Sequence, residues 1–220
     1  MQNVLTKISG AAKFELSIFL ALALIPLVFS GYILFILPQY MLFGLLAVSL
    51  SILWGLTGII SFGQAGFFAI GAYAIGIVVK SNFLMNSAIL GILLGIIVSA
   101  VIAGVVGYFL FSAKVKATYF VLATLALSII IEQLAKSQKE ITGGWNGLFV
   151  DRISISFGNL LEYSLFNDIP MYYFTLLLTT IAYALIKFLT TSNFGKILRG
   201  IRENEDRILA LGYNLSLIHI

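Results

Sequence analysis

Residues 191–212 read TSNFGKILRGIRENEDRILALG, the one long polar segment with a helical pattern in an otherwise apolar chain. Ile197, Leu198, Ile201, Ile208, Leu209 and Leu211 recur at helical spacing between Lys196, Arg199, Arg202, Glu203, Glu205, Asp206 and Arg207. That pattern predicts an amphipathic helix, with Ser192 or Asn193 as its N-cap and Gly212 as its terminator. An apolar run ends just before it, so the helix belongs at a membrane face. Two readings are open: a solvated juxtamembrane helix held by anionic lipid, or a docking surface for a soluble partner.

The surroundings of that segment are mostly hydrocarbon. Of 220 residues, 60% are hydrophobic and only 10% charged. A soluble domain of this size cannot bury so much apolar surface, so the fold class is an all-α polytopic membrane protein. There is no cysteine, which excludes a disulfide framework and thiolate metal ligation, and the one histidine is His219. No metal site and no bound cofactor are expected. Lys7 and Lys13 precede an apolar run too long for a signal-peptide core, and no small-residue cleavage site follows it. It reads as an uncleaved first span.

Runs of about 20 apolar residues cross the hydrocarbon as helices because every backbone group is then paired internally. About six spans are expected, at 16–37 (ended by Pro38), 40–60, 64–79, 87–111, 117–135 and 170–189. With the amino terminus in the cytoplasm, Lys7, Lys13, Lys114, Lys116, Lys187, Lys196, Arg199, Arg202 and Arg207 lie inside. Lys80, Lys136, Lys139 and Arg152 lie outside. The excess of basic residues inside fixes this orientation. It makes segment 191–212 cytoplasmic and the acidic 136–169 loop external.

The joint between the second and third spans, GLTGIISFGQAGFFAIGAYAIG (55–76), is crowded with glycine. It is open to two readings: close small-residue packing, or an irregular turn beside a solute path. Ser61, Gly63 and Gln64 sit at its centre, and the Gln64 amide requires partners. Gly91 and Gly95 form a G-x-x-x-G pair on the fourth span, a signal for helix contact alone. On the fifth span Thr124 and Ser128 share a face. They either bond their own helix's carbonyls or line the cavity. Glu132 falls near the outer end, where a carboxylate reaches the interface. Beyond it, Thr142-Gly143-Gly144 and Asn146-Gly147 are turn chemistry around Trp145. Trp145 either anchors in the headgroups or belongs to a loop shaping an outer gate. No phosphate loop, intramembrane acid–base pair or nucleophile–histidine arrangement is present. The chain is expected to be non-catalytic, with energy for uphill transport supplied elsewhere.

Three stretches together resemble the permease subunits of branched-chain amino-acid ABC transporters, of the type that pairs with a second homologous permease. The S-x-G-Q-A-x-F-x-x-x-G-A-Y core is matched at Ser61, Gly63, Gln64, Ala65, Phe67, Gly71, Ala72 and Tyr73. The T-G-G-x-x-G-L loop is matched at Thr142, Gly143, Gly144, Gly147 and Leu148. The R-x-I-R-E-x-E…A-L-G element is matched at Arg199, Ile201, Arg202, Glu203, Glu205, Ala210, Leu211 and Gly212. The resemblance implies that this last element is a cytoplasmic coupling helix seated in an ATP-hydrolysing subunit. It also implies a second homologous permease, two ATP-binding subunits, a periplasmic substrate-binding protein, and residence in a bacterial cytoplasmic (inner) membrane. Branched-chain amino acids are the implied cargo, with urea, short amides or sugars as alternatives. No nucleic acid partner is implied.

Two departures stand out. Relatives often carry two small residues after the glutamates, where this chain has Arg207 and Ile208. The family pattern also stops after Asn214, so residues 1–214 read as a permease domain incomplete at its carboxyl end. Residues 215–220, LSLIHI, match one reading frame of a common transposase-based sequencing adapter and read as a non-native tail. An ion-coupled secondary transporter or channel would place ionisable residues deep in the spans, and none beyond Glu132 is present. A structural or signalling membrane subunit differs from a permease in having no ATPase on its cytoplasmic helix.

Overall fold

In the computed structural model, residues 2–81, 88–113, 117–150, 154–156, 162–164, 167–204, 208 and 210–212 are described. Glu205 and the 215–220 tail lie outside the described residues. The chain forms helices α1 (Gln2–Val28), α2 (Tyr32–Thr57), α3 (Gln64–Lys80), α4 (Ala88–Ser112), α5 (Ala117–Ser137), α6 (Lys139–Thr142), α7 (Asp168–Thr191) and α8 (Asn193–Glu203). Among the described residues four segments are long and apolar enough to cross a membrane: Tyr32–Thr57, Ile89–Leu110, Tyr119–Ser137 and Asp168–Thr191. Helix α3 is apolar but has only 17 residues. The chain is therefore a polytopic α-helical membrane protein. The α5 span is only 6% buried by the rest of the chain, so its outward leucines and isoleucines need lipid or other protein around them.

The expected spans at 64–79, 87–111, 117–135 and 170–189 lie within a few residues of α3, α4, α5 and α7. The first two spans need correction. The expected break was Pro38, but Pro38 lies inside α2 and the chain breaks at Gly31. Gly31 adopts φ 65°, a left-handed conformation that a residue with a Cβ resists, and so it ends the first helix's path. Proline in a membrane helix removes one donor but need not stop the helix. The 136–169 segment, expected to be a loop, also holds more structure than that. It contains α6, a 3₁₀ turn at Gly144–Asn146, and a two-stranded antiparallel hairpin, β1 (Ser154–Ser156) with β2 (Glu162–Ser164). In its register Ile155 faces Tyr163, a β-branched and an aromatic residue of high strand preference.

The chain divides into two compact units. The first comprises Met1–Leu45 and Asn167–Leu185. Its core is Leu34, Met41, Tyr172 and Leu176, with Phe19, Leu22, Ala23, Ile25 and Leu37 packed against it. Tyr172 has no exposed surface, and its hydroxyl donates to the Leu22 carbonyl at 2.6 Å.

The second unit comprises Leu46–Phe166 and Ile186–Ile220. Here α4 packs on α3 through the Gly91/Gly95 pair. A Cβ at Gly91 would lie 2.9 Å from the Ile75 Cα, and one at Gly95 would lie 3.2 Å from the Gly71 carbonyl oxygen. The backbones approach as closely as they do because those two positions carry no side chain.

Candidate functional site

The α2–α3 joint is an irregular segment held by hydroxyl groups. Gly58, at φ 73°, closes α2, and the Thr57 hydroxyl donates to the Leu53 carbonyl while accepting the Ile59 amide at 3.3 Å. The Ser61 hydroxyl is buried and accepts the Gly63 amide at 3.3 Å. Phe62 then reaches α5 with both backbone groups. Its amide donates to Thr124 Oγ1 at 3.2 Å, and its carbonyl accepts from Ser128 Oγ at 2.8 Å. Thr124 also donates to Val121 in its own helix. The shared hydroxyl face of α5 is thus a clasp on one residue of the joint. A buried backbone group without a partner is costly, and more so in hydrocarbon, where no water substitutes.

Gln64 opens α3. Its Oε1 is buried and has no hydrogen-bond partner among the described residues. One turn on, Gly66 faces α5 so closely that a Cβ would lie 2.7 Å from Ile131 Cδ1 and 3.3 Å from the Ser128 Cα.

Beside this contact lies a groove of about 600 Å³ between α3 and α5. Phe62, Gly66, Ala69 and Tyr73 form one wall, and Leu125, Ser128 and Ile129 the other. Glu132, Lys136, Gly144, Trp145 and Gly147 close one end. Glu132 and Lys136 form an i,i+4 ion pair on α5. The Lys136 ammonium also stands over the Trp145 ring, 4.4 Å from its centroid, within cation–π range.

The T-G-G-x-x-G-L loop builds that end. Thr142 is buried, and its hydroxyl lies against the carbonyls of Ala135 and Gln138 at the end of α5. The Gln138 carbonyl also accepts the Ile141 and Thr142 amides, so the hydroxyl is what ties this turn back to Ala135. Gly143 (φ 78°) is left-handed, Gly144 (φ 63°) and Gly147 (φ 74°) also have positive φ, and any side chain at Gly143 would run into the Gly147 carbonyl. The chain turns back and lays Leu148 and Val150 against α3 at Gly76, where a Cβ would sit 2.7 Å from Leu148 Cδ2. Thr142 thus acts through its hydroxyl and Gly143, Gly144 and Gly147 through the backbone, and Trp145, which is exposed, is what they present.

Helix α8 is strongly amphipathic. Ser192 caps it by accepting the Gly195 amide. Gly195 and Ile201 are buried, whereas Lys196, Arg199 and Glu203 are exposed along one face. Arg202, itself exposed, reaches back to α2. Its guanidinium donates to the Gly55 carbonyl, and a Cβ at Gly58 would stand 3.0 Å from Arg202 Cγ. Of the expected docking residues, Arg202 therefore ties α8 to the end of α2, Ile201 is buried, and Arg199 and Glu203 are exposed. The expected helix to Gly212 also needs correction. α8 ends at Glu203, because Asn204 is extended (φ −161°, ψ 102°) and the chain returns so that Ile208 packs over Gly200. Ala210, Leu211 and Gly212 are exposed, with Gly212 left-handed at φ 85°.

Ser61, Gly63, Thr124 and Ser128 are brought together at the joint, and of these Ser128 also lines the groove. Gln64 is beside them but outside the groove lining. The residues not anticipated from sequence as part of this region are Phe62, Gly66, Tyr73 and Lys136. Their signal was positional: Gly66, Ala69 and Tyr73 fall at helical spacing on one face of α3.

Residues 32–220 match the family model for the permease component of branched-chain amino acid transport systems. A curated relative, the probable branched-chain amino acid transport permease protein LivM of Methanocaldococcus jannaschii, is 25% identical over 214 residues. That alignment covers 84% of this chain and 61% of the relative, so the chain spans about three-fifths of the relative's length. No solved structure matches it. A match running from the first turn of α2 through α8 and beyond takes in the α2–α3 joint, the groove and the amphipathic helix, and on that ground the chain belongs to the permease family of branched-chain amino-acid ABC transporters.

Proposed function

We propose that this chain is the membrane-embedded, non-catalytic permease subunit of an ATP-driven importer of branched-chain amino acids. The observation that carries the coupling role is the geometry of α8. A short amphipathic helix buries Ile201, is tied to α2 by Arg202, and leaves Lys196, Arg199 and Glu203 exposed on one face. Such a face suits an ATP-hydrolysing subunit. Its anchor touches Gly55 and Gly58, at the start of the joint that carries Phe62 into the groove wall. Movement of α8 would therefore reach the groove through six residues of backbone, Gly58 to Gly63. Two ATP-binding subunits, a second homologous permease and an extracytoplasmic substrate-binding protein complete the assembly. The chain sits in a bacterial cytoplasmic membrane with its amino terminus and α8 inside, and ATP hydrolysis belongs to its partners.

The test is co-purification of the full-length protein with the ATPase and second permease from its own locus, followed by uptake of labelled leucine into proteoliposomes. ATP-dependent uptake that needs all components supports the assignment. Failure of the ATPase to co-purify with a well-folded permease would count against it.

A further inference from the structure

The closed end of the α3–α5 groove carries one negative and one positive side chain in contact, and the rest of its wall is nearly all apolar. Resting on the importer reading, we propose that Glu132 and Lys136 bind the ammonium and carboxylate of a free amino acid. Its aliphatic side chain then lies along the wall formed by Gly66, Ala69 and Tyr73.

Charge balance comes first. The site is neutral overall, and so is a zwitterion. An amino acid entering between the two side chains exchanges one ion pair for two, ammonium to Glu132 and carboxylate to Lys136. A simple carboxylic acid or amine satisfies one partner only and so gains half of that exchange. The existing pair is easily opened, because a half-exposed i,i+4 ion pair on a helix is only weakly stabilising.

Shape is the second ground. The two charged groups come from successive turns of one helix, so both ends of a compact α-amino acid fall within reach of them. Ala69 presents only a methyl to the groove, and Gly66 sets its width by letting α3 close on Ser128 and Ile131. The groove volume, about 600 Å³, lies in the range of small-molecule sites and leaves room for an aliphatic side chain with accompanying water. Ser128 is already committed to the Phe62 carbonyl, so the remaining wall has little to offer a polar side chain. Selectivity for neutral aliphatic amino acids follows from the pair and the wall together.

The third element is Trp145, which shares Lys136 with Glu132. A carboxylate that draws the ammonium away alters the ring's surroundings, and this provides a direct readout. These 220 residues hold two tryptophans, so Trp54→Phe, with any tryptophan outside them also replaced by Phe, leaves Trp145 as the only emitter. The full-length protein carrying Trp54→Phe, in lipid nanodiscs, is titrated with L-leucine, 4-methylpentanoate, isoamylamine and urea while Trp145 emission is followed.

Saturable change with L-leucine is expected, with at least about tenfold weaker response to 4-methylpentanoate and to isoamylamine. Glu132→Gln and Lys136→Gln should each weaken leucine binding about tenfold or more, and Lys136→Arg should restore most of it. Equal response to leucine and 4-methylpentanoate would overturn the proposal, as would leucine binding unchanged by Glu132→Gln. Saturation by urea with none by leucine would overturn it too. ATPase co-purification is measured on the same variants. Retained association with no effect of either charge substitution on leucine binding removes the subsite and leaves the importer assignment standing. Lost association with charge-dependent leucine binding does the reverse.

Discussion

The Tyr172 hydroxyl donates to the carbonyl of Leu22 at 2.6 Å, and Leu22 lies four residues before Pro26. A proline four residues on supplies no amide, so the Leu22 carbonyl has no helical donor in α1. Tyr172 replaces that donor from α7, inside the core of the first unit. Tyr172→Phe should therefore destabilise the chain by about 1 kcal/mol, read as a lower Tm in detergent. Pro26→Ala restores the missing amide, so the same tyrosine change in a Pro26→Ala background should cost less. Equal costs in both backgrounds would show that the bond does not compensate for the proline.

Phe62 supplies a second test. Its amide depends on Thr124 and its carbonyl on Ser128. Thr124→Val keeps the side-chain shape and removes the acceptor. Amide exchange in the peptide covering 58–63 should quicken, with a stability loss of about 1–2 kcal/mol. Ser128→Ala should leave the amide bond in place and accelerate exchange less. Matching exchange in the two variants would argue against separate roles for the hydroxyls.

Gly143→Ala should unmake the loop that carries Trp145. Its φ of 78° disfavours alanine, and the added methyl meets the Gly147 carbonyl. A cost of about 1–3 kcal/mol is expected. Proteolysis between 138 and 150 should become faster, and Trp145 emission should shift. Gly147→Ala meets open space and bears only the backbone cost, so it should be the milder change.

Arg202 and Glu203 are both exposed, but Arg202 also donates to the Gly55 carbonyl of α2. Glu203→Arg should weaken ATPase co-purification about tenfold or more with unchanged Tm. Arg202→Glu should lower Tm first, because it removes the bond to the Gly55 carbonyl and sets a carboxylate beside that oxygen. The two together should abolish association. A Tm unaffected by Arg202→Glu would remove its anchoring role.

Hydrophobic run length made α3, α4, α5 and α7 legible in the sequence, since a membrane helix is specified by continuity of apolar residues. The break at Gly31 was not legible, because run length is continuous through 28–38 and only backbone conformation distinguishes Gly31 from Pro38. Periodicity revealed the amphipathic α8 but not its end. Ile208 keeps helical register with Ile201 on paper whether the chain runs straight or folds back over Gly200. The bond of Arg202 to α2 was likewise hidden, since its partner, Gly55, lies 147 positions away and offers only a carbonyl. In the candidate site, sequence pointed to the hydroxyls of α5 and to the glycine loop. The groove wall on α3 consists of residues notable for lacking side chains, and a missing group leaves little trace in composition.

Helix α3 has 17 residues, so at the usual rise it measures about 25 Å, roughly 5 Å short of an average hydrocarbon layer. Either the bilayer thins around it or the six residues before it occupy the difference. In both cases the tension falls on the joint that Thr124 and Ser128 hold. Amide exchange across 58–63 should therefore quicken in bilayers of longer acyl chains and slow in those of shorter ones.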